Sequence, residues 1–129
     1  MLFESPYNII EQADGFVRFV RLPVGYPDPA AMAEEADALQ ERFPPARRAR
    51  MRCLRDLRAA RGNNSAAFEA ALKRTRLQVF TGWERLSALM LSQSGVLHCK
   101  RLFGGLGIEA LVTTDELAAA QYLRADRSA

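Results

Sequence analysis

The chain has 129 residues, of which 49% are hydrophobic and 26% are charged, and its formal net charge is +3. These values exclude a disordered chain and predict one domain over residues 1–129. The elements predicted below place its core at about residues 7–124 and leave a tail at 125–129. No apolar run approaches the roughly 18 residues that a membrane-spanning helix needs. Residues 1–6 lack the features of a secretory signal, and two cysteines do not make a disulfide framework, so we expect a cytoplasmic, reduced protein.

A β-hairpin is the first predicted element. Residues 7–11 and 16–22 are strand-like, and Asp14-Gly15 between them is typical of a tight turn. Asp28 and Pro29 then predict the start of a helix, because an aspartate caps free N–H groups and a proline fits the first helical position. That helix should run to about Phe43, where two prolines follow.

Strands and helices alternate in the rest of the chain. Ser94 is predicted to cap the third helix, Gly104-Gly105 to end it, and Thr113 with Glu116 to form a capping box for the last helix. The predicted strands are residues 51–57, 86–91 and 108–112, and the further helices are residues 66–77, 94–103 and 117–123. This order predicts an α/β fold: a small, mostly parallel sheet of four to five strands with an antiparallel N-terminal hairpin at one edge and about four helices.

Residues 42–61 form a basic segment with eight arginines and a single acid, Asp56. Such a segment can bind an acidic protein surface or nucleic acid, or its arginines can simply fill solvated positions. Nucleic acid is the less favoured partner, because several arginines alternate around a predicted strand and no aromatic residue is interleaved for base stacking. We therefore interpret the segment as solvated arginines or as a surface for a partner protein.

The residue types that catalysis and metal binding require are sparse. His98 is the only histidine, and its helical neighbour Cys99 points about 100 degrees away from it, which disfavours a metal site or a Cys-His pair. Cys53 and Cys99 are predicted to be small core residues, and Trp83 an anchor at the core edge. A glycine-rich stretch at residues 104–107 follows a helix instead of opening one, unlike a phosphate loop. The sequence thus predicts no catalytic residue, metal or cofactor.

Ser65 stands in a turn, Gly62-Asn63-Asn64-Ser65, that precedes the second main helix. Its hydroxyl is predicted to cap that helix, a place that also favours negative charge. Because Arg58 and Arg61 are close in sequence, a phosphate on Ser65 would be stabilised there. Ser65 is therefore both a candidate helix cap and a candidate phosphoacceptor.

Three stretches, taken together, resemble the STAS, or SpoIIAA-like, superfamily, named for anti-sigma-factor antagonists. Residues 53–58 resemble its central strand ending in Asp-Leu, residues 83–90 its next strand, and residues 115–123 its closing helix, with small residues before an aromatic and a leucine. The resemblance implies a bacterial, non-enzymatic regulatory module that binds proteins. In the antagonists a phosphorylated serine lies in an Asp-Ser-Ser-Gly-like turn before the second helix, close to the place of Ser65, although this chain lacks that Asp and Gly.

The expected function is therefore regulatory binding of another protein through the N-terminus of the second main helix and the adjacent arginine-rich surface. The residues predicted to bind that partner are Arg58, Arg61, Asn63, Asn64 and Ser65. The alternative is a small-ligand or lipid-binding module with a crevice at the carboxyl ends of the strands, lined by the loops after Leu57 and Leu91. Homodimer formation stays open at this point.

Overall fold

The computed structural model describes residues 1–60 and 66–125, and within them six strands form one sheet in which strand order follows chain order. The strands are β1 (Phe3–Glu4), β2 (Asn8–Gln12), β3 (Val17–Arg21), β4 (Arg52–Asp56), β5 (Arg85–Leu89) and β6 (Leu111–Thr113). The helices are α1 (Pro29–Arg42), α2 (Pro45–Arg48), α3 (Ala66–Phe80), α4 (Gln93–Leu106) and α5 (Glu116–Arg124). No helix in the described ranges is both long enough and apolar enough to cross a membrane.

The predicted N-terminal hairpin is confirmed. β2 and β3 pair antiparallel, with Gln12 opposite Val17, and the Ala13 N–H donates to the Phe16 carbonyl oxygen at 2.9 Å. Gly15 has φ 88°, in the left-handed region that glycine enters without steric cost. The strand β1 was not predicted, because two residues are too short to show an alternating pattern; it adds a third antiparallel strand beyond β2.

The predicted parallel sheet is also confirmed, since β3, β4, β5 and β6 pair parallel in that order. Helices cover both of its faces. One apolar cluster joins the sheet to α1, α3 and α4, and includes Phe19, Cys53 and Phe103. A second cluster, around Leu54 and Ala119, joins the other face to α5. Both faces of the central strands are therefore buried, as is usual for parallel sheets.

β4 sends successive side chains to opposite faces of the sheet, as strand geometry requires. Cys53 belongs to the cluster under α1, α3 and α4, and Arg55 faces the same way, stacked on Phe19. Leu54 belongs to the cluster under α5, and Asp56 shares that face. Two neighbouring charged residues of one buried strand thus lie on opposite sides of the sheet.

The start of α1 is confirmed. The Asp28 carboxylate accepts the Ala31 N–H at 2.8 Å, and Pro29 is the first helical residue. The short helix α2 was missed, because the proline pair was interpreted only as a stop. Proline also suits the first turn of a helix, where its missing N–H costs no hydrogen bond, and Pro45 begins α2 in that way.

Both predicted ends of α4 are wrong. Ser92, not Ser94, is the cap: its backbone is extended and its hydroxyl oxygen accepts the Gly95 N–H at 3.2 Å. The helix continues through Gly104-Gly105 and ends at Gly107, whose φ of 69° is the left-handed conformation that commonly ends helices. Gly104-Gly105 was predicted to end the helix, but both glycines lie inside it, and Gly107 is the residue that terminates it.

The predicted capping box of α5 is wrong as well. Asp115 is the cap, and its carboxylate accepts the N–H groups of Leu117 and Ala118. Thr113 is two residues too early to reach them, and its hydroxyl oxygen instead accepts the Asp115 N–H at 3.0 Å. The threonine therefore fixes the turn that leads into the helix.

Candidate functional site

A cavity of about 700 Å³ lies between the sheet and the helices α1, α3 and α4. Side chains from all three helices contribute an apolar wall, which includes Met32, Leu39, Phe68, Leu72, Leu102 and Phe103. Its lining also includes exposed residues, so the cavity is open to solvent; these are Gly25, Ala60, Glu69 of α3 and His98 of α4. Two other depressions, of about 600 and 560 Å³, lie at the edge formed by β1 and at the start of β5.

The position of this cavity agrees in part with the crevice predicted for a ligand. Leu57 and Ala60, after β4, line it, and Met90 contributes from the end of β5. Leu91 does not line it and is 76% exposed. The sheet also has no point where strand order reverses, so the crevice does not arise at a switch in topology. The cavity arises instead from the space between the sheet and the helices above it.

Arg55 lies in the wall of the cavity and is 5% exposed. Its guanidinium carbon is 3.7 Å from the centre of the Phe19 ring, and it donates hydrogen bonds of 3.2 Å to the Phe19 carbonyl oxygen and to Asn8 Oδ1. Its Nε has no hydrogen-bond partner within residues 1–60 and 66–125. Burial lowers the pKa of Arg55 to about 10, so the side chain still carries its positive charge at neutral pH.

Asn8 connects Arg55 to a buried carboxylate. Its Nδ2 donates to Glu35 Oε2 at 2.8 Å, while its Oδ1 accepts from Arg55. The Ser5 hydroxyl donates to the same carboxylate oxygen. Glu35 is 8% exposed and belongs to α1. The two buried charges are thus linked through a neutral amide, and no ion pair forms between them.

A second cation lies beside this network. The Arg21 guanidinium is 4.5 Å from the centre of the Tyr26 ring and donates to the carbonyl oxygens of Tyr7 and Leu22. Burial raises the pKa of Tyr26, so its phenol stays protonated at neutral pH. Arg76 and His98 add further basic groups, and Glu69 is the single acidic residue among the described lining residues. The polar part of the cavity is therefore predominantly basic.

Of the residues predicted to bind a partner protein, only Arg58 lies within the described part of the chain. It binds Asp56 through two nitrogens, at 3.1 and 2.9 Å, and its Nη2 is 3.5 Å from a carboxylate oxygen of Glu116. Arg18, which belongs to β3, forms ion pairs with both Asp56 and Glu116. Arg61, Asn63, Asn64 and Ser65 lie outside the described residues, and so does the predicted cap of α3.

The pKa of Asp56 is lowered where it meets Arg18 and Arg58 on the α5 side of the sheet. Burial alone would raise the pKa of Asp56, but the hydrogen bonds and charge of Arg58, together with the charge of Arg18, hold it below its ordinary value. The carboxylate is therefore ionised at neutral pH and neutralises part of the Arg58 charge. The pairing of Asp56 with Arg58 and Arg18 was not predicted, because the sequence analysis considered Asp56 only as the single acid of the basic segment.

The interpretation of the basic segment as solvated arginines is wrong at two positions. Arg48 is 4% exposed and donates to the carbonyl oxygens of Gln78 and Thr81, at the end of α3. Arg55 is buried in the cavity wall. A sequence signal for the second existed: Arg55 stands two residues after Cys53 in a strand that was predicted to be central, so it must share the buried face of that cysteine.

The remaining candidate residues have structural roles. Cys53 and Cys99 are buried, which raises their thiol pKa to about 12 and about 11, so their prediction as core residues is confirmed. Trp83 is confirmed at the core edge, where its ring packs near Phe19 and Phe43 and its Nε1 donates to the Val79 carbonyl oxygen. No group of three metal-ligating side chains occurs within residues 1–60 and 66–125.

Comparison with known proteins identifies the fold. The chain is similar to a crystal structure of an uncharacterized protein from the DUF3478 family with a SpoIIAA-like fold, from Shewanella loihica PV-4. The TM-score is 0.66 at 12% sequence identity, and the similarity covers 94% of this chain and 98% of the other. The chain therefore has a SpoIIAA-like fold, which confirms the resemblance at the level of fold. No family model and no curated protein matches the sequence.

Proposed function

We propose that the chain is a non-enzymatic binding module that takes up a small, largely apolar molecule in the cavity under α1, α3 and α4. The cavity itself is the observation that carries this proposal. Ligand sites commonly measure roughly 300–1,000 Å³ and combine an apolar lining with a few placed polar groups. The cavity, at about 700 Å³, has such a lining, and the neighbouring residues Arg55, Asn8 and Tyr26 form a polar part of its wall.

A neutral, polarity-sensitive dye, N-phenylnaphthylamine, tests this proposal directly. We expect it to bind with one-to-one stoichiometry and with increased fluorescence, because the cavity wall is apolar. Leu72→Trp should reduce the affinity about tenfold or more, since the larger ring occupies the cavity. Leu77→Trp is the matched control, because Leu77 lies on the same helix, is 40% exposed and does not line the cavity.

Two results would count against a binding cavity. One is the absence of saturable dye binding to the folded wild-type chain. The other is an equal affinity of Leu72→Trp and wild type, which would place the dye elsewhere. Circular dichroism of both variants must first show that they are folded, so that lost binding is not lost structure.

Regulatory binding of a partner protein is the second candidate function. It is supported by the place of α3, because the cavity-lining residues Phe68 and Leu72 belong to the helix that begins directly after the predicted partner surface. If α3 can take two positions, a ligand that binds one of them more tightly shifts α3 towards that position. The partner surface at the start of α3 would then change with the ligand, by no more than the ligand's difference in affinity for the two positions. The SpoIIAA-like fold is compatible with this role.

Affinity capture from a nuclease-treated native extract tests the second candidate. We expect a protein that the wild type enriches to be lost with Ser65→Asp and retained with Ser94→Asp, an exposed serine on α4. Arg50→Glu controls for charge alone, because Arg50 is an exposed arginine of the same basic segment. If Ser65→Asp captures the same proteins as the wild type, the N-terminus of α3 is not the partner surface.

A further inference from the structure

Arg55 is a buried charge that has no acidic partner among the described residues. No carboxylate in residues 1–60 and 66–125 lies within 4.0 Å of its guanidinium, and its two hydrogen bonds to those residues go to neutral oxygens. A guanidinium has five N–H groups, so three of them, the Nε–H included, are left without a described acceptor. Buried charges in proteins are normally paired, because removing them from water is costly.

The groups around Arg55 add to its positive charge and do not neutralise it. Arg21 is close enough for its charge to disfavour the charge on Arg55. The buried carboxylate nearest along the network, Glu35, is already bound by Asn8 and Ser5, so Asn8 stands between it and the guanidinium. Asp56, although adjacent in sequence, points to the opposite face of the sheet, where it binds Arg58.

We infer that the cavity binds an amphipathic anion, with Arg55 anchoring the oxyanion head and the apolar wall enclosing the hydrocarbon part. This inference rests on the proposed ligand-binding function and names the chemical class of its ligand. A planar guanidinium suits two oxygens of one head group, because its donors form a fixed fork. The head would lie in the part of the cavity where Arg55, Arg21 and Asn8 are close together, and the hydrocarbon would pack against apolar lining residues such as Leu72 and Leu102.

Displacement of N-phenylnaphthylamine by matched twelve-carbon probes tests the inference. The probes are dodecanoate, dodecyl phosphate and dodecan-1-ol, each below its micelle-forming concentration. Since a hydrogen bond to a charged group is strong, we expect both anions to bind the wild type about 10- to 100-fold more tightly than the alcohol. The order of the two anions then distinguishes a carboxylate from a phosphate head.

Substitutions in β4 show whether Arg55 causes the preference for anions. Arg55→Met should bind dodecan-1-ol like the wild type but lose the preference for the anions. Arg52→Met is the matched control, because Arg52 is on the same strand but on its other face, bound to Glu84 and to the end of α5. It should keep the full preference. If Arg55→Met does not fold, Arg55→Lys retains the charge without the fork and should keep a reduced preference.

The outcomes separate the two proposals. If the wild type binds neither dodecanoate nor dodecyl phosphate more tightly than dodecan-1-ol, with dye binding intact, the anion inference is overturned and the ligand-binding function stands. An anion preference that survives in Arg55→Met would also overturn the inference. If neither the dye nor any of the three probes binds the folded wild type, both proposals fail.

Discussion

Replacing Arg48 by methionine tests whether an arginine of the basic segment holds the fold together. Arg48 is 4% exposed, and its Nη1 donates to the main-chain carbonyl oxygens of Gln78 at 2.5 Å and Thr81 at 2.7 Å. Gln78 lies in the last turn of α3, where the carbonyl groups of a helix have no partner within it, and Thr81 directly follows the helix. The guanidinium also lies 5.8 Å from the centre of the Trp83 ring. Arg48 therefore joins α2 to the end of α3.

The expected magnitude follows from these contacts. Hydrogen bonds to a charged group contribute about 1.5–3 kcal/mol each, so the two together give about 3–6 kcal/mol. Burial of the charge offsets part of this, as does the Arg48 Nε, which has no acceptor in the described part of the chain. Methionine also retains much of the apolar contact. We therefore expect Arg48→Met to lower the free energy of unfolding by about 2 kcal/mol. For a domain of this size, Tm should fall by roughly 6–10 °C.

Urea and thermal unfolding, followed by far-ultraviolet circular dichroism, measure this difference. Arg47→Met is the matched control in the same helix, because Arg47 is exposed, donates one hydrogen bond to the Arg42 carbonyl oxygen and stacks on Phe43. It should cost less than about 1 kcal/mol. If the two variants differ by less than about 0.5 kcal/mol, the structural role assigned to Arg48 is refuted, and the basic segment must be reconsidered as a binding surface.

Three further predictions concern acidity, capping and thiols. The folded-state pKa of Asp56 lies below its unfolded value, so its ionisation stabilises the fold at neutral pH, and this effect is lost as the pH falls below about 4. The difference in free energy of unfolding between the wild type and Asp56→Asn should therefore shrink over that range. Urea titrations at several pH values measure it. Ser92→Ala should cost about 1 kcal/mol in the same unfolding assay and Ser94→Ala clearly less, whereas equal costs would contradict the assigned cap. Cys53 and Cys99 should react with a thiol reagent at pH 8 only after unfolding, and fast labelling of the native chain would contradict their burial.

The features that sequence predicted correctly depend on residues close together in the chain. The turn at Asp14-Gly15 and the cap at Asp28-Pro29 each act within a few residues, and both occur as predicted. The parallel sheet was likewise predicted from order along the chain, because strands and helices alternate there. Where several residues of one type compete, as Ser92 and Ser94 do for the start of α4, local pattern was not sufficient, because the choice depends on which backbone is extended.

The candidate site could not be predicted because its contacts join distant parts of the chain. Arginine is ordinarily exposed, and nothing near Arg55 in sequence indicates that Asn8 and Phe19 provide its acceptors from two other strands. Arg48 likewise reaches the end of α3, 30 residues away. The cavity depends on how α3 and α4 are spaced above the sheet, which no local pattern specifies. For the predicted partner surface, only Arg58 is described, and its pairing with Asp56 was not foreseen.

The opposite charges on the two faces of β4 also determine how this strand can align. A shift of one residue against β3 and β5 would exchange its faces. Cys53 and Leu54 would tolerate the exchange, since both faces are apolar there. Asp56 would instead lose its pairing with Arg18 of β3, and the Arg55 guanidinium would enter the cluster around Ala119. The adjacent charges thus penalise the nearest misaligned sheet and select one register for the central strand as the chain folds.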